Sequence, residues 1–344
     1  MELTQHAEKE ITKLTRLCDQ KGNLNPEAIG FARKPIIECN LSGHYLRKKK
    51  WNHWSIFGEE IFFSVTISHF DYAAVCTLYF LEYETQRFFE KTIMIPLGLG
   101  TKLKMPPRVF EPIQFSNNEV EISITYFQQQ TFLKVTSENF DNELLLAELT
   151  ILHPQEDDTL NVVVPWNRQT FQFTSKHHTL PTMGFVKLGN RHYRFHEEDC
   201  FSILDFGRGV WPRNASLNWA MASQKIRNDR IGLNFGGKWT DGTGMTENAV
   251  FVNGKMTKIH EDVVFTCDDT NYMKPWYITT KFSDHVMLTF HPFFEYTNKT
   301  NGKLVKSETR HFLGYYHGHI KLYDGSLLTI QQMLGGIEKY SAKW

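Results

Sequence analysis

The sequence predicts an all-β protein: two antiparallel β-barrel or sandwich domains behind one short N-terminal helix. Three observations carry this. Aromatic residues make up 14% of the chain, with 27 Phe, 13 Tyr and 8 Trp, and aromatic side chains suit pleated, half-buried surfaces. Short apolar runs recur at close intervals with Gly, Asn, Asp and Pro between them. After the first twenty residues no segment shows the 3.6-residue period of an amphipathic helix.

Taken in order, Leu3, Ala7, Ile11, Leu14 and Cys18 recur at helical spacing, which predicts a helix over residues 2–20 closed by Gly22. Asn25-Pro26 and Arg33-Lys34-Pro35 predict an extended connector, because a residue before proline avoids the helical region. Residues 1–47 are therefore set apart as helix and connector. From Lys48 the period becomes two. Candidate strands cover 51–56, 61–67, 75–83, 91–95, 120–126, 131–136, 144–152, 160–164 and 171–174. The stretch from Val120 to Tyr126 alternates apolar and polar residues, the mark of a strand with one wet face. His177-His178 reads as solvated loop, and the turn residues Thr179-Leu180-Pro181 close a first β domain at 48–182. The second domain, 183–344, opens with a hairpin around Gly189-Asn190 and has another at Asn253-Gly254. Further strands are expected at 200–205, 276–282, 286–290, 312–322 and 327–332, with turns at Asn301-Gly302 and Asp324-Gly325.

The bulk chemistry narrows the partners. The chain has 344 residues, and its 38 basic and 38 acidic residues cancel, so no net field draws nucleic acid or anionic lipid. No segment approaches the roughly 20 apolar residues of a membrane span. Residues 1–20 carry charges throughout and do not resemble a secretory signal. Five scattered cysteines without a CxxC pair fit reduced thiols and a cytoplasmic location. No cofactor motif is present. Gly236-Gly237-Lys238-Trp239-Thr240 lacks the spacing of a phosphate loop. His311 and His317-Gly318-His319 have no carboxylate or thiolate at ligand spacing, so no metal site is expected. There is no GxSxG elbow. The basic-aromatic run from Arg47 to Trp54 reads as a strand entry.

Unusual residues concentrate between Asp205 and Asn248. Asp205, Arg208, Trp211, Arg213 and Asn214 are followed by Trp219, then by Asn234, Lys238, Trp239 and Asp241, and finally by Glu247 and Asn248, with glycines between them. The functional reading is a pocket with an aromatic wall. In it Asp205, Asp241 or Glu247 donates or accepts protons, and Arg208, Arg213 or Lys238 tunes them or holds an anionic ligand group. Asn214, Asn234, Asn248 and the three tryptophans would complete the ligand contacts. The competing reading is structural, with glycine bulges and an Arg–Asp pair inside a curved sheet. Polar density in strands is costly to bury without a use, which favours the pocket. Asp205 and Arg208 are three residues apart, so a regular strand would point them to opposite faces. Gly207 and Gly209 predict a bulge that turns Arg208 inward onto Asp205 or a carboxylate of 241–247.

The runs from Gly207 to Asn214 and from Gly236 to Gly244 resemble a bacterial family known as a domain of unknown function. So do Lys21 to Pro26, Gly30 to Pro35, Lys50 to Trp54 and Gly335-Gly336-Ile337-Glu338. More remotely, the chain is similar to the two-domain lipocalin-like proteins that include carotenoid hydratases and tocopherol cyclases. That resemblance implies paired barrels enclosing an apolar or amphipathic small molecule, and acidic residues able to protonate an alkene. It assigns no residue a role here. Binding alone is one expectation. A hydratase, cyclase or isomerase is the second, and a Trp-lined carbohydrate site is the third.

Overall fold

The computed structural model describes residues 8–101, 103, 105–301 and 306–343. The chain begins with β1 (Thr15–Arg16), a single 3-10 turn at Pro26–Ala28, β2 (Gly30–Ala32) and β3 (Ile37–Glu38). Next come β4 (Lys48–Phe57), β5 (Ile61–His69), β6 (Ala73–Glu82) and β7 (Phe88–Pro96). A second run contains β8 (Ile113–Ser116), β9 (Glu121–Phe127), β10 (Gln130–Phe140) and β11 (Glu143–Leu152). It is followed by β12 (Leu160–Pro165), β13 (Phe171–Leu188), β14 (Arg191–Phe195) and β15 (Phe201–Val210). The remainder is β16 (Asn214–Ile226), β17 (Asp229–Gly237), β18 (Asn248–Val252), β19 (Lys255–Ile259), β20 (Val263–Thr266), β21 (Trp276–Thr280), β22 (Val286–Asn301), β23 (Lys306–Lys321) and β24 (Leu327–Lys343).

The long strands make two curled sheets. The first runs β7-β6-β5-β4-β15-β13-β11-β10-β9-β8, with β12, β2 and β14 attached through β13. The second runs β19-β18-β17-β16-β24-β23-β22-β21-β20. The pairings within both large sheets are antiparallel, whereas the short β1 and β3 pair in parallel. The all-β, two-unit expectation holds. β13 ties the first sheet together: its first half pairs with β12 and β15, and its second with β11 and β14. Its register shifts between His177 and Leu180, where Thr179 takes φ +53°. The expected division at residue 182 falls inside this strand, and the chain changes sheets between Val210 and Asn214. His177 and His178 are buried in β13 rather than solvated.

The expected N-terminal helix is corrected. Residues 1–7 lie outside the described ones, but 8–20 hold no helix. Instead Ile11 and Phe31 exchange backbone bonds with their neighbours (Ile11 N to Phe31 O, 2.7 Å; Phe31 N to Lys9 O, 2.9 Å), and Thr15–Arg16 pairs with Ile37–Glu38. Ile11, Leu17 and Cys18 are buried by this pairing, whereas Leu14 is 70% exposed. Long-range backbone pairing thus overrides a local period that a helix would have used. The Asn253-Gly254 hairpin appears as expected, with φ +50° and +78°, the conformations a type I′ turn requires. The second residue of the Asn301-Gly302 turn lies outside the described residues.

Each sheet wraps its own apolar core, the first around residues such as Phe63, Phe80 and Phe173, the second around Phe235, Trp276 and Phe290. Two smaller apolar clusters join the sheets. One sets Val162 and Val164 against Trp239 and Phe251, and the other sets Phe57 and Ile203 against Trp219 and Leu313. Among the described residues no helix is long and apolar enough to cross a membrane. All five cysteines are free thiols, four of them buried.

Candidate functional site

Period-two geometry places the site. In the first sheet, Asp205 of β15 is the register partner of His53 on β4 and of Lys176 on β13. In the second, Glu338 of β24 is the partner of Trp219 on β16 and of His311 on β23. Cross-strand partners share a face, so each sheet presents one row of three: His53, Asp205, Lys176 and Trp219, Glu338, His311. Both rows line one cavity of about 670 Å³. Trp51, Trp211 and Trp239 add aromatic wall, Glu247 adds a third carboxylate, and Tyr72, Tyr79 and Tyr340 complete much of the remainder.

Lys176 ties the sheets together. Its Nζ lies 3.1 Å from Asp205 Oδ2, 3.5 Å from Glu247 Oε2, and 3.7 Å from the centroid of the Trp219 ring. Asp205 also accepts the indole N–H of Trp51 (2.9 Å) and the hydroxyl of Thr174 (3.2 Å). Glu247 Oε1 accepts the indole N–H of Trp239 (2.7 Å), while its Oε2 is buried without a hydrogen bond. Two glycines make room. A Cβ on Gly207 would lie 2.0 Å from the Trp51 ring, and one on Gly236 would lie 2.0 Å from Glu247 Oε1. These close approaches account for glycine at both positions.

The electrostatics are uneven. Burial, reinforced by the charges of Asp205 and Glu247 and opposed by Lys176, pushes the Glu338 carboxyl up to about 7. Burial also raises Glu247 above the usual carboxylate range, against the pull of Lys176. Burial pushes His53 down to about 4 and His311 down to about 3, so both imidazoles are neutral at pH 7. The His53 nitrogens meet the hydroxyls of Thr66 and Ser55, each at 2.7 Å. His311 Nδ1 stands 3.6 Å from Glu338 Oε2, too far for a hydrogen bond.

The structure sorts the residues expected from sequence. Asp205, Glu247, Trp211, Trp219 and Trp239 line the cavity. Asn234 and Asn248 are buried just behind it. Asn234 accepts from the Trp219 indole (2.8 Å), and Asn248 accepts from Gly236 N (2.8 Å). Asp241, Lys238, Arg213 and Asn214 are exposed and lie outside the cavity lining. Asp241 instead caps the turn at Lys238 N (2.8 Å). The expected inward turn of Arg208 is corrected. β15 pairs without a register shift through Gly207 to Gly209, so Arg208 and Asp205 stay on opposite faces. Arg208 is buried in the first sheet's core. There it donates to the carbonyls of Trp51 (2.6 Å), Gly207 (2.8 Å) and Pro106 (3.1 Å) and to Asn52 Oδ1 (2.9 Å), and among the described residues it forms no ion pair.

Sequence reasoning missed Lys176, Glu338, His53, His311 and Trp51. The available signal was alternation: Thr174, Lys176 and His178 continue the period of Phe171 to Thr174 beyond the expected strand end. Glu338 ends the Gly-Gly-Ile-Glu run, where two glycines give no apolar period to read. Among the described residues, no group of three His, Cys, Asp or Glu side chains is arranged to hold a metal ion.

Several solved structures are similar to this chain, two of them as follows. The crystal structure of CghA with Sch210972 superposes with a TM-score of 0.49 at 8% identity, covering 86% of this chain and 88% of that one. Kievitone hydratase from Nectria haematococca superposes with a TM-score of 0.43 at 11% identity, covering 87% and 89%. No curated protein sequence matches significantly. At the level of family the match is nearly complete: residues 8–344 fit the domain of unknown function DUF2804, and the chain belongs to that family.

Proposed function

We propose that this protein encloses an apolar or amphipathic small molecule between its two sheets and transfers protons to and from it. The observation that supports this is the gathering of Asp205, Glu247 and Glu338 around one cavity with a single ammonium, Lys176, bridging two of them. Three carboxylates gathered around one ammonium repel one another, which favours one of them keeping its proton near pH 7. Glu338 is that acid. Glu247 Oε2, buried and without a hydrogen bond, is the acceptor. The tryptophans supply the apolar wall. Hydration, cyclisation and isomerisation all begin with such a transfer to carbon.

The test uses the compound that the protein itself retains. Freshly purified protein is extracted and examined by native mass spectrometry. The retained compound is then incubated with enzyme in D2O. Deuterium entering a carbon position with wild type, but not with Glu338→Gln, is the expected result. A retained compound that takes up no deuterium with either protein would leave binding alone. The absence of any retained compound, together with failure to bind an apolar fluorophore, would remove the ligand reading.

A further inference from the structure

The cavity has two polar ends. One is the carboxylate group around Lys176. The other lies four residues along β4 from His53, roughly 13 Å at strand rise, where Lys49 lines the cavity on the same face as Trp51 and His53. Lys49 is 5% exposed. Its Nζ stands 4.7 Å from the centroid of the Phe70 ring and 4.5 Å from that of Tyr72, and donates to the Tyr72 hydroxyl at 2.7 Å. Having accepted from Lys49, that hydroxyl still has its own proton to donate into the cavity. Trp51 lies between the two ends, edge-on to Trp211 at 5.8 Å.

We propose that Lys49 and the Tyr72 hydroxyl form an anion subsite, so that the ligand is an amphipathic monoanion. Its carboxylate, sulfonate or phenolate would lie on Lys49, and its apolar body would run along Trp51 toward Glu338. This deepens the proton-transfer reading and rests on it for the position of the reactive end. The charge layout sets the direction of entry. An anionic head is repelled by Asp205 and Glu247, whose two charges exceed the single charge of Lys176 between them, and attracted by Lys49, so the favoured orientation places the apolar end at the acids. Burial lowers Lys49 to about 8, still largely charged at pH 7, and an anion in contact would hold its proton more firmly.

The test compares two probes of one shape, 1-pyrenebutyrate and its methyl ester, by quenching of the cavity tryptophans. Wild type is expected to bind the carboxylate at least about tenfold more tightly than the ester, the scale of one charge-assisted hydrogen bond. Lys49→Met is expected to bind both probes equally, and Lys49→Arg to keep the preference. Equal binding of both probes by wild type, or a preference that survives in Lys49→Met, overturns the subsite while leaving the cavity reading in place. Binding of neither probe by wild type overturns both. A circular dichroism spectrum of Lys49→Met unlike wild type transfers the decision to the wild-type probe ratio alone.

Discussion

Lys176 of the first sheet and Glu247, the residue just before β18 of the second, stand 3.5 Å apart as an ion pair. Asp205 shares the same ammonium at 3.1 Å. The two sheets are therefore joined by charge as well as by two apolar clusters. Replacing Lys176 with Met should leave two buried carboxylates without their cation, at a cost of about 3–5 kcal/mol near pH 7. The loss should shrink at pH 4, where Glu247, its carboxyl raised by burial, takes up a proton and no longer needs the partner. Urea melts at the two pH values measure it, and an equal loss at both would show that Lys176 acts only as packing.

Glu338 makes a pH prediction of opposite sense. Its folded value, about 7, lies above the ordinary 4.5. Below pH 4.5 the group is protonated whether the chain is folded or not and contributes nothing. Between 4.5 and 7 the unfolded chain ionises first, so stability falls as pH rises, and above 7 the penalty is constant. Glu338→Gln should match wild type near pH 4 and exceed it by about 1–3 kcal/mol at pH 8. Chemical denaturation at both pH values checks this. A difference that does not change with pH would mean an ordinary glutamate.

Arg208 separates stability from the site. It donates to backbone carbonyls on β4, β15 and the Pro106 segment, on the face away from the cavity. Arg208→Met should cost about 2–4 kcal/mol through orphaned buried acceptors, while pyrene-probe affinity in the folded protein stays unchanged. A stable variant with lost probe binding would put Arg208 back in the site.

Gly207→Ala should disturb the cavity directly. The added methyl meets the Trp51 ring, which must tilt and give up its bond to Asp205. A destabilisation of about 1–3 kcal/mol is expected, with a shift in tryptophan emission. An unchanged melt and emission would show that Trp51 has room to move.

The fold was legible where side chains alternate, because a strand's period is visible in sequence. The stretch from Val120 to Tyr126 is an example, appearing as β9 at Glu121–Phe127. The N-terminal segment was misread because residues 8–20 bury Ile11, Leu17 and Cys18 through backbone pairing with distant residues, which leaves no local signature. Asp205, Glu247 and the three tryptophans stood out as polar and aromatic residues among glycines. Lys238 and Asp241 shared that composition but sit in an exposed turn. Arg208 illustrates the limit of inferring a bulge from glycines: here Gly207 makes room for a ring and β15 stays regular. Glu338 and His311 could be joined to Asp205 only by knowing how two sheets face each other, which no spacing within one chain segment encodes.

The position of β24 has a consequence for synthesis. It is the last described strand to be made, yet it lies in the middle of its sheet, between β16 and β23. Until it emerges from the ribosome, those two strands present unpaired edges, the surfaces by which nascent chains stick to one another. Glu338 arrives with it. A chain cut short before this strand would thus lose the Glu338 wall of the cavity and expose adhesive edges at the same moment.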